Sequence, residues 1–184
     1  MTKPADVTGP IRVADLPKRR AYSFVWAPDA DTREALARTL GVNDLRKLRF
    51  SGTLTAVGRS DWQLEAELGA TVVQSCVATG TPVVTRLDED VRRMFLADWA
   101  AQQPTDTESE MPEDDSAEPL GPEIDVSQVA EEALTLALPD FPRAPDAPPA
   151  DLTAAPPDAA PLSDAETRPF AALAGLKRKL EDGE

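Results

Sequence analysis

Cys76 is the only cysteine in the chain, and no histidine accompanies it. Ser-His-Asp and Cys-His catalysis both need an imidazole to carry the proton, so neither can be assembled. A His-ligated zinc, iron or copper site is excluded for the same reason, and one thiolate does not make a Cys-rich site. No cofactor is expected. A thiol can act alone where a Lys, an Arg or a helix N-terminus lowers its pKa. The surrounding TVVQSCVA is instead an apolar strand pattern, in which a cysteine serves as a small apolar residue. Both readings of Cys76, buried filler and reactive thiol, follow from sequence. The close carboxylates Asp88/Asp90 and Glu131/Glu132 could do acid–base work, but such pairs are ordinary on solvated faces. There is no Walker loop and no GxGxxG. No enzyme is expected, and no small-molecule substrate is evident.

The other residues with chemistry to offer are basic. Lys18, Arg19 and Arg20 form one cluster, and Arg46, Lys47 and Arg49 a second. Each Lys or Arg placed on a phosphate releases counterions, which gives affinity independent of sequence. Tyr22, Phe24 and Trp26 follow the first cluster at a spacing of two. They read either as stacking platforms for unpaired bases or as the buried side of a strand. The whole chain carries 19 Lys and Arg against 33 Asp and Glu, a formal charge of −14, which argues against a uniformly basic nucleic-acid binder. The charge is uneven, however. Residues 1–59 hold 11 bases and 6 acids, whereas residues 101–170 hold 2 bases and 17 acids. Such asymmetry points to an electrostatic partner at one end and a solvating segment at the other.

The elements that must position these residues are read from periodicity. The 184 residues suffice for one domain with tails. Tyr22 to Trp26 alternates as a strand. Asp31 is expected to cap a helix running to about Thr39, with Glu34 completing a capping box and Gly41 ending it. LRFSGTLTAV and DWQLEAEL alternate apolar and polar residues about a GRSD turn, which predicts a hairpin with one buried face. TVVQSCVA is expected as a further strand, TGTP as a turn, and VVTRLDEDVRRMFLAD as at least one more. Asp125 should cap a helix through Leu138, with Val126, Val129, Ala130, Ala133, Leu134 and Ala137 on its apolar side. Residues 101–119 hold seven acids and no base, and residues 139–169 hold nine prolines. Neither buries enough apolar surface to offset its ordering entropy.

The fold class expected is therefore α+β: an antiparallel meander flanked by two or three helices. One domain spans 8–141 with an acidic flexible insertion at 101–119. A Pro/Ala-rich linker follows at 142–168, then a short amphipathic helix at 169–184, whose Phe170, Leu173 and Leu176 are candidates for docking a partner. The N-terminus lacks the apolar core of a signal peptide, and no run approaches a membrane span, so a soluble cytoplasmic protein is expected, with no membrane partner.

The run VVQSCVATGTPV, then EIDVSQVAEEALTLALPDFPRAP, then RPFAALAGLKRKLE resembles the YceD family, the bacterial large ribosomal RNA subunit accumulation proteins. The resemblance covers most of residues 45–180. It implies a non-enzymatic factor supporting large-subunit rRNA accumulation or assembly, with rRNA or ribosomal proteins as partners. Cys76 matches the first cysteine of the family's frequent C-x-R-C-L-x-P, and Pro82 its proline; Ala78 and Thr79 stand where Arg and the second Cys would be. The later cysteines of many relatives are absent from FPRAPDAPPADLTAAPPDAAP, so their metal site is not implied here. The resemblance leaves a rival: an acidic adaptor that holds a basic ribosomal protein. A thiol enzyme built on Cys76 is the other.

Overall fold

The computed structural model describes residues 4–99 and 116–148. All of these but Pro148 belong to the compact unit Met1–Ala147; the second unit, Pro148–Glu184, otherwise lies outside them. The expected terminal helix, with Phe170, Leu173 and Leu176, and most of the Pro/Ala-rich linker therefore lie outside the described residues.

Two short strands, β1 (Ala5–Asp6) and β2 (Ile11–Arg12), precede β3 (Tyr22–Trp26). Helix α1 (Ala30–Leu40) leads to three long strands, β4 (Asp44–Val57), β5 (Asp61–Ser75) and β6 (Pro82–Leu96). After the undescribed stretch come β7 (Ala117–Pro119), β8 (Glu123–Ile124) and helix α2 (Val126–Ala137). The large sheet has the order β1-β3-β4-β5-β6-β7. Its four central strands form the expected antiparallel meander, while both flanking strands, β1 and β7, pair in parallel. The sheet is thus mixed, and it begins before residue 8.

Alternation of residue types decides which side of the sheet is buried. Leu48, Phe50 and Leu54 of β4, Trp62, Leu64, Leu68 and Val72 of β5, and Leu87, Val91 and Phe95 of β6 form one core. Helix α2 closes it over β5 and β6 with Val126, Val129, Ala130, Ala133 and Leu134, the apolar side expected from spacing. The Asp125 carboxylate caps this helix as anticipated, accepting from the amides of Ser127 and Gln128. Helix α1 packs on β4 through Leu36 and Ala37.

Several sequence expectations are corrected. Asp29, not Asp31, caps α1, accepting from the Thr32 amide at 2.9 Å. Asp31 sits in the first turn, where its charge still favours the helix dipole. Gly41 ends the helix in the left-handed conformation, φ 67°, as the spacing required. DWQLEAEL and TVVQSCVA are not two strands: β5 runs unbroken through Gly69 because β4 and β6 hold it extended from both sides. The acidic stretch expected to stay unpaired through 119 forms β7 at its end, in register with Met94–Leu96. Phe24 and Trp26 are buried and Tyr22 is half-buried, with the Phe24 and Phe50 ring centroids 5.7 Å apart. Phe24 and Trp26 belong to the core and offer no free face for stacking a base, and Tyr22 packs against that core. Among the described residues, no helix is long and apolar enough to cross a membrane.

Candidate functional site

The two basic clusters lie at opposite ends of the sheet. Tyr22, the first residue of β3, pairs with Leu54, so the loop carrying Lys18, Arg19 and Arg20 enters the sheet at the end near the β4–β5 turn that carries Arg59. Arg49 is five residues back from Leu54 along β4. At about 3.3 Å per residue that is about 17 Å, and it is larger for Arg46 and Lys47. That exceeds the Debye length of about 8 Å at physiological salt, so the clusters do not form a single patch. Lys18, Arg19 and Arg20 are exposed in the loop between β2 and β3. Arg59 joins them at this end, while α1, with Arg33 and Arg38, lies at the other.

Arg46 and Lys47 have a feature the alternation argument missed. The β4–β5 register shifts between Leu45 and Leu48, so these two residues bulge out of the strand. Lys47 is the one non-glycine residue with positive φ among those described, at 37°. A bulge re-aims side chains that a regular strand would fix. The signal was in the sequence: Leu45 and Leu48 are three apart, whereas Leu48 and Phe50 are two apart. Arg46 is engaged by Asp44 at 3.0 Å. Arg49 lies on the polar face of the sheet.

Between the two ends, that polar face forms a shallow concavity of about 580 Å³, bounded by Ser23, Arg49, Ser51, Glu65, Glu67 and Asp90. It is of mixed charge. Arg92 pairs with Glu65 at 3.7 Å, and Arg86 binds Asp88 through two hydrogen bonds. The Arg86 guanidinium holds the Asp88 carboxyl below the usual carboxylate range. Asp88 and Asp90 are exposed, Asp88 being engaged by Arg86, and Glu131 and Glu132 lie on α2. Glu131 is raised by partial burial and by Asp125. No cluster of three or more His, Cys, Asp or Glu could hold a metal among the described residues.

Cys76 lies just beyond β5, at the start of the turn to β6, and is buried. The segment after α2 is strapped across this turn. Gln74 donates to the Pro139 carbonyl at 3.1 Å, Val77 to that of Pro142 at 2.9 Å, and the Ala144 amide to Cys76 Sγ at 3.3 Å. The linker expected from 142 therefore begins as a docked segment. The Thr79 hydroxyl and the Ala144 amide bring the thiol down to about 7. This supports neither sequence reading alone: the thiol is buried, yet it is hydrogen-bonded and acidic. An acidified thiol makes folding favour the thiolate. Its stabilisation is present above the unfolded thiol pKa of about 8.5 and is lost as pH falls through about 7. Unfolding free energy should therefore rise from pH 7 to 9, and Cys76→Ser should remove that rise. An equal rise in unfolding free energy from pH 7 to 9 in the two proteins, measured by urea denaturation, would contradict it.

Fold and site together describe an α+β domain with separated basic ends, a mixed-charge sheet face and a strapped turn. The profile of the family described as "Large ribosomal RNA subunit accumulation protein YceD" matches residues 64–177, and the chain belongs to that family. No curated protein and no solved structure gives a significant match. The match begins within β5 and takes in Cys76, the strap and α2. The Lys18–Arg20 cluster and the Arg46–Arg49 segment lie before it.

Proposed function

We propose that this chain is a non-enzymatic cytoplasmic factor that supports large-subunit rRNA accumulation by contacting rRNA phosphates at two separated points. The family's description supplies the process. The observation that supports the contacts is the placement of Lys18, Arg19 and Arg20 at one end of the central strands and of Arg46, Lys47 and Arg49 at the other. A folded or double-stranded RNA presents phosphates over such a span, and two small basic sites would read its shape without reading its sequence. Phe170, Leu173 and Leu176 enter as partner-docking residues on their sequence pattern alone.

A deletion strain complemented with variants tests the reading. Changing either cluster to Glu should lower rRNA co-purification and partly reduce the large-subunit peak, and changing both should remove the complementation. Full restoration by the protein with all six residues changed would refute the phosphate role. A normal large-subunit peak in the deletion strain itself would refute the process.

A further inference from the structure

We infer that the edge of β6 left unpaired among the described residues is a docking site for an extended basic polypeptide, which adds to the sheet as another strand. The inference does not depend on the rRNA contacts proposed above. β6 is 15 residues long, but β7 covers only Met94–Leu96. Where that ladder exists, the Met94 amide donates to the Ser116 carbonyl at 3.0 Å, and the Leu120 amide donates to the Leu96 carbonyl at 2.9 Å. Even-numbered residues of β6 thus turn their backbone groups outward. The alternation continues upstream, because the β5–β6 register has no shift. Val84, Arg86, Asp88, Asp90 and Arg92 therefore present backbone donors and acceptors that no strand takes up among the described residues.

Natural edge strands are blunted by proline, lysine, bulges or shortness. This edge has no Lys, no proline after Pro82 and no bulge. It does carry charge, and the cations in it are already occupied. Arg86 binds Asp88, Arg92 binds Glu65, and Arg93 binds Glu118 at 3.1 Å and Glu132 at 3.9 Å. Glu89 and Asp90 have no ion pair among the described residues, and Glu67 lies directly opposite Asp90 on the same face. Two carboxylates opposite each other repel and gain from a cation placed beside them. The edge is therefore acidic in what it offers a partner.

The other side of the edge is partly apolar. A groove of about 500 Å³ runs between β6 and α2, bounded by Glu89, Val91, Ala133, Leu136 and Ala137. Leu136 stands 81% exposed at its wall. An incoming strand would lay alternate residues beside Asp88 and Asp90 on one face and beside Leu136 and Val91 on the other. That pattern selects a segment alternating basic and apolar residues, with main-chain bonds giving affinity and the two faces giving selectivity.

The test is fluorescence anisotropy with a labelled peptide of five Lys-Val repeats and the full chain. The peptide should bind, weaken with salt, and be unmatched by five Glu-Val repeats. Asp90→Asn should weaken binding several-fold, and Asp90→Pro by at least about tenfold, because the outward amide is lost as well. A further peptide, N-methylated at every residue, avoids any question of the variant's folding: it has no amide left to donate to β6 and should fail to bind. If it binds like the parent, or if Asp90→Pro binds like wild type, strand addition is wrong. Displacement of the peptide by a ten-nucleotide RNA, with the same Asp90 dependence, would make the edge an RNA site and overturn the inference. None of these outcomes alters the complementation result for the basic clusters.

Discussion

Gly52→Ala is expected to destabilise the fold by about 3 kcal/mol or more, while Gly69→Ala, in the neighbouring strand, changes stability by less than about 1 kcal/mol. Both glycines lie in the interior of long strands. Gly52 sits in the cross-strand row Phe24–Gly52–Ala66–Val91, at the middle of the sheet. A Cβ there would fall 2.2 Å from the Glu65 carbonyl oxygen and 2.5 Å from Ala66 Cβ. Those atoms belong to backbone and to a side chain with no torsion to turn, so relief requires β4 and β5 to part. Both strands carry the core, and Phe50, Leu54, Leu64 and Leu68, fully or almost fully buried, flank the contact. At Gly69 the nearest atom is the Arg86 guanidinium, 2.6 Å away at the end of a flexible, half-exposed side chain. That group swings aside. Urea denaturation of the two variants measures the difference. Equal midpoints would mean that the close approach at Gly52 is not a constraint. A domain of this size has a net stability of about 5–15 kcal/mol, so the Gly52 cost would also lower soluble yield in cells.

Some of this was legible in the sequence. Alternation located β4 and the first half of β5, because one face is dry and the other wet. Helix α2 was legible in its cap, its apolar side and its end. The misread elements fail for identifiable reasons. Asp29 and Asp31 both have the composition of a cap, and the choice fell to Asp29, where the Arg33 guanidinium also binds the Pro28 carbonyl. Gly69-Ala70-Thr71 reads as a break only when its neighbours on both sides are ignored. The strap over Cys76 depends on main-chain carbonyls of Pro139 and Pro142, groups that every residue has and no pattern advertises. The basic clusters show the same gap at the level of the site. Their residues are obvious in the sequence, but strand register sets them at opposite ends of the sheet. The acidic opposition of Glu67 and Asp90 also follows from register alone.

Helix α2 is where sequence and structure make the same quantitative claim. Leu134→Ala should cost about 2–5 kcal/mol, and Leu136→Ala less than about 0.5 kcal/mol. Leu134 is fully buried over β5 and β6, beside Ala130 and Val126. Removing its methyls loses their transfer energy and leaves a cavity that a sheet held by cross-strand bonds fills poorly. Leu136, two residues on, points into solvent at the wall of the β6 groove. Its truncation removes little that folding had buried. The two leucines have equal helix propensity and sit in the same final turns, so local effects cancel between the variants and only tertiary packing separates them. Thermal unfolding of both provides the measurement. A Leu136→Ala cost near that of Leu134→Ala would mean that the outer side of α2 is buried in the free protein. The groove beside β6 would then be filled already and closed to an added strand. A clear separation leaves α2 anchored by one face and the groove open on the other.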